Sequence, residues 1–173
     1  MSLVVFLRAV NVGGRTLRPK AIADELGWIN IGAAGTFVVP GTAKPAAAER
    51  AIRRELPFET EVMVCAEDEI LRLVRGESFG ARAGAPGVKR FASILARAPD
   101  VRPRLPIERP AGTAWEVCVV KIAGRFALIL RRRRGHRAVY PKEVVERSLG
   151  IPATTRGWDT LLAIARIVER HFE

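Results

Sequence analysis

A chain of 173 residues, 49% hydrophobic and 27% charged, has the length and balance of one folded domain or two small halves packed together, which excludes overall disorder. No apolar run is long enough to cross a bilayer, and Met1-Ser2 leads into Leu3-Val4-Val5-Phe6 without a basic n-region or cleavage site, so a cytoplasmic protein with no membrane partner is expected. The net charge of +11 is uneven: residues 1–87 hold 11 Lys/Arg against 10 Asp/Glu, whereas residues 88–173 hold 18 against 8. An excess in one half points to a positive face and a phosphate-rich or acidic partner.

Leu3–Val10 is an apolar, β-branched run that reads as a strand buried on both faces. The loop Asn11–Arg15 follows, and Pro19 suits the first turn of a helix that continues through Leu26 and stops at Gly27. Trp28–Ile31 and Thr36–Val39 read as two strands around the turn Gly32-Ala33-Ala34-Gly35. Pro45–Leu56 is helical by its spacing of Ala48, Ile52 and Leu56, Glu61–Cys65 is a strand, and Glu67-Asp68-Glu69 opens another helix with carboxylates at its positive end. This β-α-β-β-α-β order is the ferredoxin-like one.

The stretch "GESFGARAGAPG", residues 76–87, reads as a linker between an N-terminal half (1–78) and a basic C-terminal α+β half (79–173). Phe91–Leu95 is a strand. The proline-rich segment "RAPDVRPRLPIERPAG" can be neither a long helix nor a central strand. Trp115–Ile122 and Arg125–Leu130 form a hairpin around Ala123-Gly124, Pro141–Leu149 is a helix ended by Gly150, and a final helix runs from Trp158 to Phe172. The expectation is an α+β fold of two ferredoxin-like halves, the second degenerate, in one unit with antiparallel sheets.

"FLRAVNVGG", "GTFVV" and "TTRGWDTLLAI" resemble, in that order along the chain, the bacterial proteins grouped as domain of unknown function 1697 (DUF1697). The resemblance implies a bacterial α+β protein of ferredoxin-like units and implies no activity. Its signature positions fall on Arg8, Asn11, Gly13, Gly14, Thr154, Thr155, Arg156, Trp158 and Thr160. Ala34-Gly35-Thr36 stands where the family usually has Ser-Gly-Asn, and Gly157 and Asp159 where it usually has asparagines.

Two readings stay open for Asn11–Arg15. Adjacent Gly13 and Gly14 suit a sharp turn, and they also suit a backbone cradle for an oxyanion, with Arg8 and Arg15 adding charge. Neither nucleotide fingerprint spacing is present. Thr155 is an expected helix N-cap. Arg156, a cation at a helix start, calls for either an internal carboxylate or a bound anion. The run Arg131-Arg132-Arg133-Arg134, with Arg137 beyond it, is either a solvated hairpin exit or a contact for nucleic acid. Along an extended chain Arg131 and Arg133 face one side and Arg132 and Arg134 the other.

Phe6 and Phe37 read as core residues more simply than as base-stacking aromatics. Cys65 and Cys118 lie in apolar runs and read as buried free thiols. His136 and His171 have no metal-ligand spacing, and Glu67–Glu69 reads as a helix start, so neither a metal nor a cofactor is expected. Catalytic residues cannot be assigned. The favoured expectation is binding of nucleic acid or a nucleotide through the strand-end loop and the basic hairpin. The alternative is an enzyme acting on a small phosphorylated or otherwise anionic metabolite in a pocket between the halves. The sequence says nothing of the oligomeric state.

Overall fold

Every residue of the first strand, β1 (Leu3–Leu7), is buried, as an unbroken apolar run requires. The computed structural model that shows this describes residues 1–8, 14, 16–76, 79–135 and 139–171, so the expected end of the strand at Ala9-Val10 lies outside the described residues. Helix α1 (Pro19–Leu26) begins on its proline and ends at Gly27, which takes the left-handed conformation (φ 68°). Strands β2 (Ile29–Ile31) and β3 (Thr36–Val39), helix α2 (Pro45–Glu55), strand β4 (Val62–Ala66) and helix α3 (Glu67–Arg75) follow.

These strands pair antiparallel in the order β2-β3-β1-β4, completing the expected β-α-β-β-α-β unit. Leu3, Val5 and Leu7 pack with Phe37 and Val39 against Ile22 and Ala23 of α1 and Ala48 and Ile52 of α2. All three acids of the α3 start have structural work. Glu67 accepts the Ser2 N–H (2.8 Å), Glu69 reaches back to the Ala66 N–H (2.8 Å), and Asp68 pairs with Arg72 (2.9 Å).

The chain divides into two units, Met1–Arg75 with Asp159–Glu173, and Gly76–Trp158. Chain order alone predicts that the last helix goes with the C-terminal half. The structure groups helix α5 (Trp158–Arg170), from its second residue, with the first unit.

In the second unit, strands β5 (Lys89–Leu95), β6 (Ile107–Arg109), β7 (Val117–Ala123), β8 (Phe126–Arg131) and β9 (Ala153–Gly157) form one antiparallel sheet in the order β6-β7-β8-β5-β9. The proline-rich segment supplies β6, a three-residue edge strand, which is where prolines leave a strand room to form. The hairpin turn falls on Gly124 (φ 58°) and Arg125, one residue later than expected, because Ala123 still pairs with Phe126.

Helix α4 (Pro141–Leu149) closes on Gly150 and sets Val144 and Val145 against Val117, Val119, Ala127 and Ile129. Thr154-Thr155-Arg156 is corrected from a helix start to strand β9. Its β-branched threonines pair with β5, and α5 begins only after Gly157. Among the described residues no helix is long and apolar enough to cross a membrane.

Candidate anion-binding site

The second sheet has two faces, and strand alternation decides which arginine of the 131–134 run reaches which. Val117, Val119, Ile107, Ala127 and Ile129 face α4. Arg131 ends β8 on that side, its guanidinium over the Tyr140 ring at 5.4 Å. Glu108, Cys118 and Leu130 are cross-strand neighbours on the opposite face, and Arg132 follows them there. Arg132 and Arg134 line one cavity, Arg133 is exposed, and Arg137 lies outside the described residues.

That cavity, of about 530 Å³, is lined by Arg82, Glu108, Thr113, Trp115, Arg132 and Arg134, with Ala85 and Gly112 completing the wall. All of these belong to the second unit. Arg132 lies over Trp115, its guanidinium carbon 3.9 Å from the ring centroid, and Arg82 approaches the same ring at 5.8 Å. Arg132 is held by the chain that replaces a regular crossover: Nε donates to the Trp115 carbonyl (2.8 Å) and Nη2 to the Thr113 carbonyl (2.5 Å). An irregular segment leaves carbonyls that a guanidinium fork can satisfy.

Arg82 donates through Nη1 to Glu108 Oε2 (3.1 Å) and to the Cys118 sulfur (3.4 Å). Burial pushes the Cys118 thiol up, and the nearby Arg82 guanidinium only partly offsets this. Burial also pulls the Arg132 guanidinium down, and the like charges of Arg134 and Arg82 add to the effect. Behind the arginines, the Glu116 carboxylate accepts the N–H groups of Arg134 (3.0 Å) and Gly135 (3.2 Å). Those two bonds hold its carboxyl below the usual range.

Other expected site residues are placed elsewhere. Thr155 is no N-cap: its hydroxyl meets that of Ser93 at 2.6 Å, across the β5–β9 pair. Arg156 points to the opposite face, where Nη1 donates to Thr154 Oγ1 (2.6 Å) and the Thr155 carbonyl (3.1 Å). It is 6% exposed, and burial lowers its pKa to about 10. It shares a face with Cys118 but sits three strands away, about 14 Å at the usual strand spacing. Arg156 and the 131–134 run therefore do not form one site.

In the first unit, Arg8 donates its N–H to the Glu61 carbonyl (3.1 Å) and its carbonyl accepts the Thr60 hydroxyl. Gly14 is exposed with φ 79° and open space around it, as a turn residue requires. Asn11, Gly13 and Arg15 lie outside the described residues. Phe6 and Phe37 are fully buried in the core.

Sequence reasoning missed Arg82, Glu108, Thr113 and Trp115. Arg82 stood in a stretch read as linker, and nothing in residue spacing ties it to position 132. Only the register Glu108–Cys118–Leu130 does so.

No family model and no curated protein matches the chain. Among solved structures, a conserved bacterial protein from Streptococcus pneumoniae is similar over 95% of this chain and 97% of its own, with a TM-score of 0.58 and 11% identity. At that identity the likeness shows a shared fold.

Proposed function

We propose that this protein binds a phosphate-rich partner, nucleic acid or a nucleotide, through the basic cavity of its second unit. The observation that carries the reading is the convergence of Arg82, Arg132 and Arg134 on one concavity with Glu108 as the carboxylate on its wall. Guanidinium forks bind phosphate oxygens in pairs, and an excess of cations over carboxylate in a concave wall focuses the field on an incoming anion. The uneven charge of the sequence supports the same reading. The first-unit loop is the lesser part of the proposal, and the expected role of Arg8 and Gly14 rests on neighbours outside the described residues.

The wider assignment is a cytoplasmic member of the DUF1697 group with ferredoxin-like units. It draws support from the three sequence motifs and from the strand order β2-β3-β1-β4.

The test is a fluorescence titration of a single-stranded and a double-stranded oligonucleotide at several salt concentrations. Affinity should fall steeply with salt, since each neutralised phosphate releases counterions. Arg134→Gln should weaken binding, and Arg50→Gln, an equal charge change on the exposed face of α2, should leave it nearly intact. Absence of binding by both oligonucleotides and by nucleotides at low salt overturns the proposal.

A second reading, an enzyme acting on a small anionic metabolite, is favoured by the size of the same cavity, which lies in the range of small-molecule sites. Stabilisation by a phosphometabolite that oligonucleotides do not displace would select it.

A further inference from the structure

The cavity also says what shape of anion it fits. Proteins that hold single strands combine a groove tracking the backbone with open aromatic faces on which bases stack. Here Trp115 is 5% exposed and Arg132 covers its ring at 3.9 Å, so the aromatic group is a floor beneath a cation and offers no stacking face. The arginines are gathered: both Arg82 and Arg132 lie within 5.8 Å of one ring centroid, and Arg134 lines the same wall.

Each fixed arginine has a reason for its position. Arg132 is tied to two backbone carbonyls, and Arg82 is tied to Glu108 and Cys118. Glu116 anchors the backbone of Arg134, which carries the third guanidinium to the rim. Such a cluster is pre-organised for a compact, multiply charged group, because its cations repel one another until an anion joins them. Glu108 opposes the anion and at the same time aims Arg82, so the ligand must carry more than one negative charge to prevail.

We infer that this cavity is a site for a diphosphate group, either free pyrophosphate or the diphosphate of a nucleotide, read without regard to the base. The inference rests on the phosphate-binding reading above and narrows it. Arg82 and Arg132 take one phosphate over the shielded Trp115 ring, and Arg134 takes the other at the rim. An extended nucleic-acid strand carries one charge per phosphate with its bases in between, and a gathered cluster without an open stacking face matches it less well than a diphosphate.

Calorimetric titration of the full chain with inorganic pyrophosphate, inorganic phosphate, ADP, UDP and AMP tests this at constant ionic strength. Pyrophosphate is expected to bind one per chain and at least tenfold more tightly than phosphate. ADP matching UDP, with both well above AMP, is the signature of a base-independent diphosphate site. Pyrophosphate exceeding both nucleotides would instead identify the free ion as the ligand, within the same inference. Arg82→Gln and Arg134→Gln should each weaken pyrophosphate at least tenfold, and Arg50→Gln should not.

Competition separates this inference from the broader one. If a labelled oligonucleotide binds and pyrophosphate fails to bind or displace it beyond what matched sulfate does, the diphosphate site is overturned while polyanion binding stands. Discrimination between ADP and UDP of tenfold or more would also overturn it, because a base would then be read. Failure of every probe overturns both.

Discussion

Two sheets of one molecule run through the same strand sequence and do different things with it. In the first unit the order is β2-β3-β1-β4; in the second, leaving aside the edge strand β6, it is β7-β8-β5-β9. The second is thus the first repeated, with one replacement. Where α1 crosses from β1 to β2, the second unit runs a proline-rich chain through β6 and on to Trp115. A helix satisfies its own backbone and offers an apolar stripe, as α1 does with Ile22 and Ala23. An irregular crossover cannot, and its carbonyls at Thr113 and Trp115 hold Arg132 instead. That irregular crossover, through Glu108, Gly112, Thr113 and Trp115, walls the cavity.

The hairpins at matching places give the sharpest test of how far the two units are equivalent. Gly35, before β3, has φ 81°, and a Cβ there would lie 2.9 Å from the Leu7 Cβ. Gly124, before β8, has φ 58° and open space. Gly35→Ala should therefore cost about 2–4 kcal/mol, combining left-handed strain with overpacking, and Gly124→Ala about 1–2 kcal/mol from strain alone. Urea midpoints of the two variants decide it. Equal losses would mean that the approach of Gly35 to Leu7 carries no energy.

A smaller difference lies where each sheet's edge strand, β4 or β9, pairs with its inner neighbour. The β1–β4 pairs are apolar, such as Val5 with Val64, whereas the β5–β9 pair Ser93 with Thr155 is a hydroxyl contact. Ser93 is fully buried and Thr155 only half-buried. Thr155→Val should strand the Ser93 hydroxyl and cost about 1–3 kcal/mol. Adding Ser93→Ala should recover most of that loss, since the second sheet then copies the first. A double variant no better than the single one would show that the contact with the other hydroxyl is not what Ser93 needs.

The same contrast explains what was legible in the sequence. α1, α2 and α4 announced themselves by proline at their first residue, and Gly27 and Gly150 closed two of them, because these signals are local and steric. The α+β class followed from alternation and order. Thr154–Arg156 misled because a threonine before an apolar helix also looks like a cap. Only pairing with Ala92, Ser93 and Ile94 makes it a strand, and pairing is not local. The site was half legible for the same reason. Four consecutive arginines are visible in any reading, and alternation correctly sent Arg131 and Arg132 to opposite faces. Their company at Arg82, Glu108 and Trp115 depends on a sheet register that no spacing records.

Acid puts the second unit to a test of its own. In the second unit the Glu116 carboxylate accepts the Arg134 and Gly135 N–H groups, and its own main chain bonds Arg109 and Arg132. Those N–H bonds hold its carboxyl below the ordinary value, so the folded state favours the ionised form. Stability from this source is fully present above the unfolded carboxyl value of about 4.3 and is lost as the pH falls through the lower folded value. Wild type should therefore be more stable than Glu116→Gln by a constant margin above about pH 5 and by a shrinking one below about pH 4. The amide proton shifts of Arg134 and Gly135 should titrate over the same interval. A margin that stays flat to the lowest pH would mean the charge on Glu116 does not hold the arginine segment. The cavity would then owe its arrangement to the bonds that Arg132 and Arg82 make.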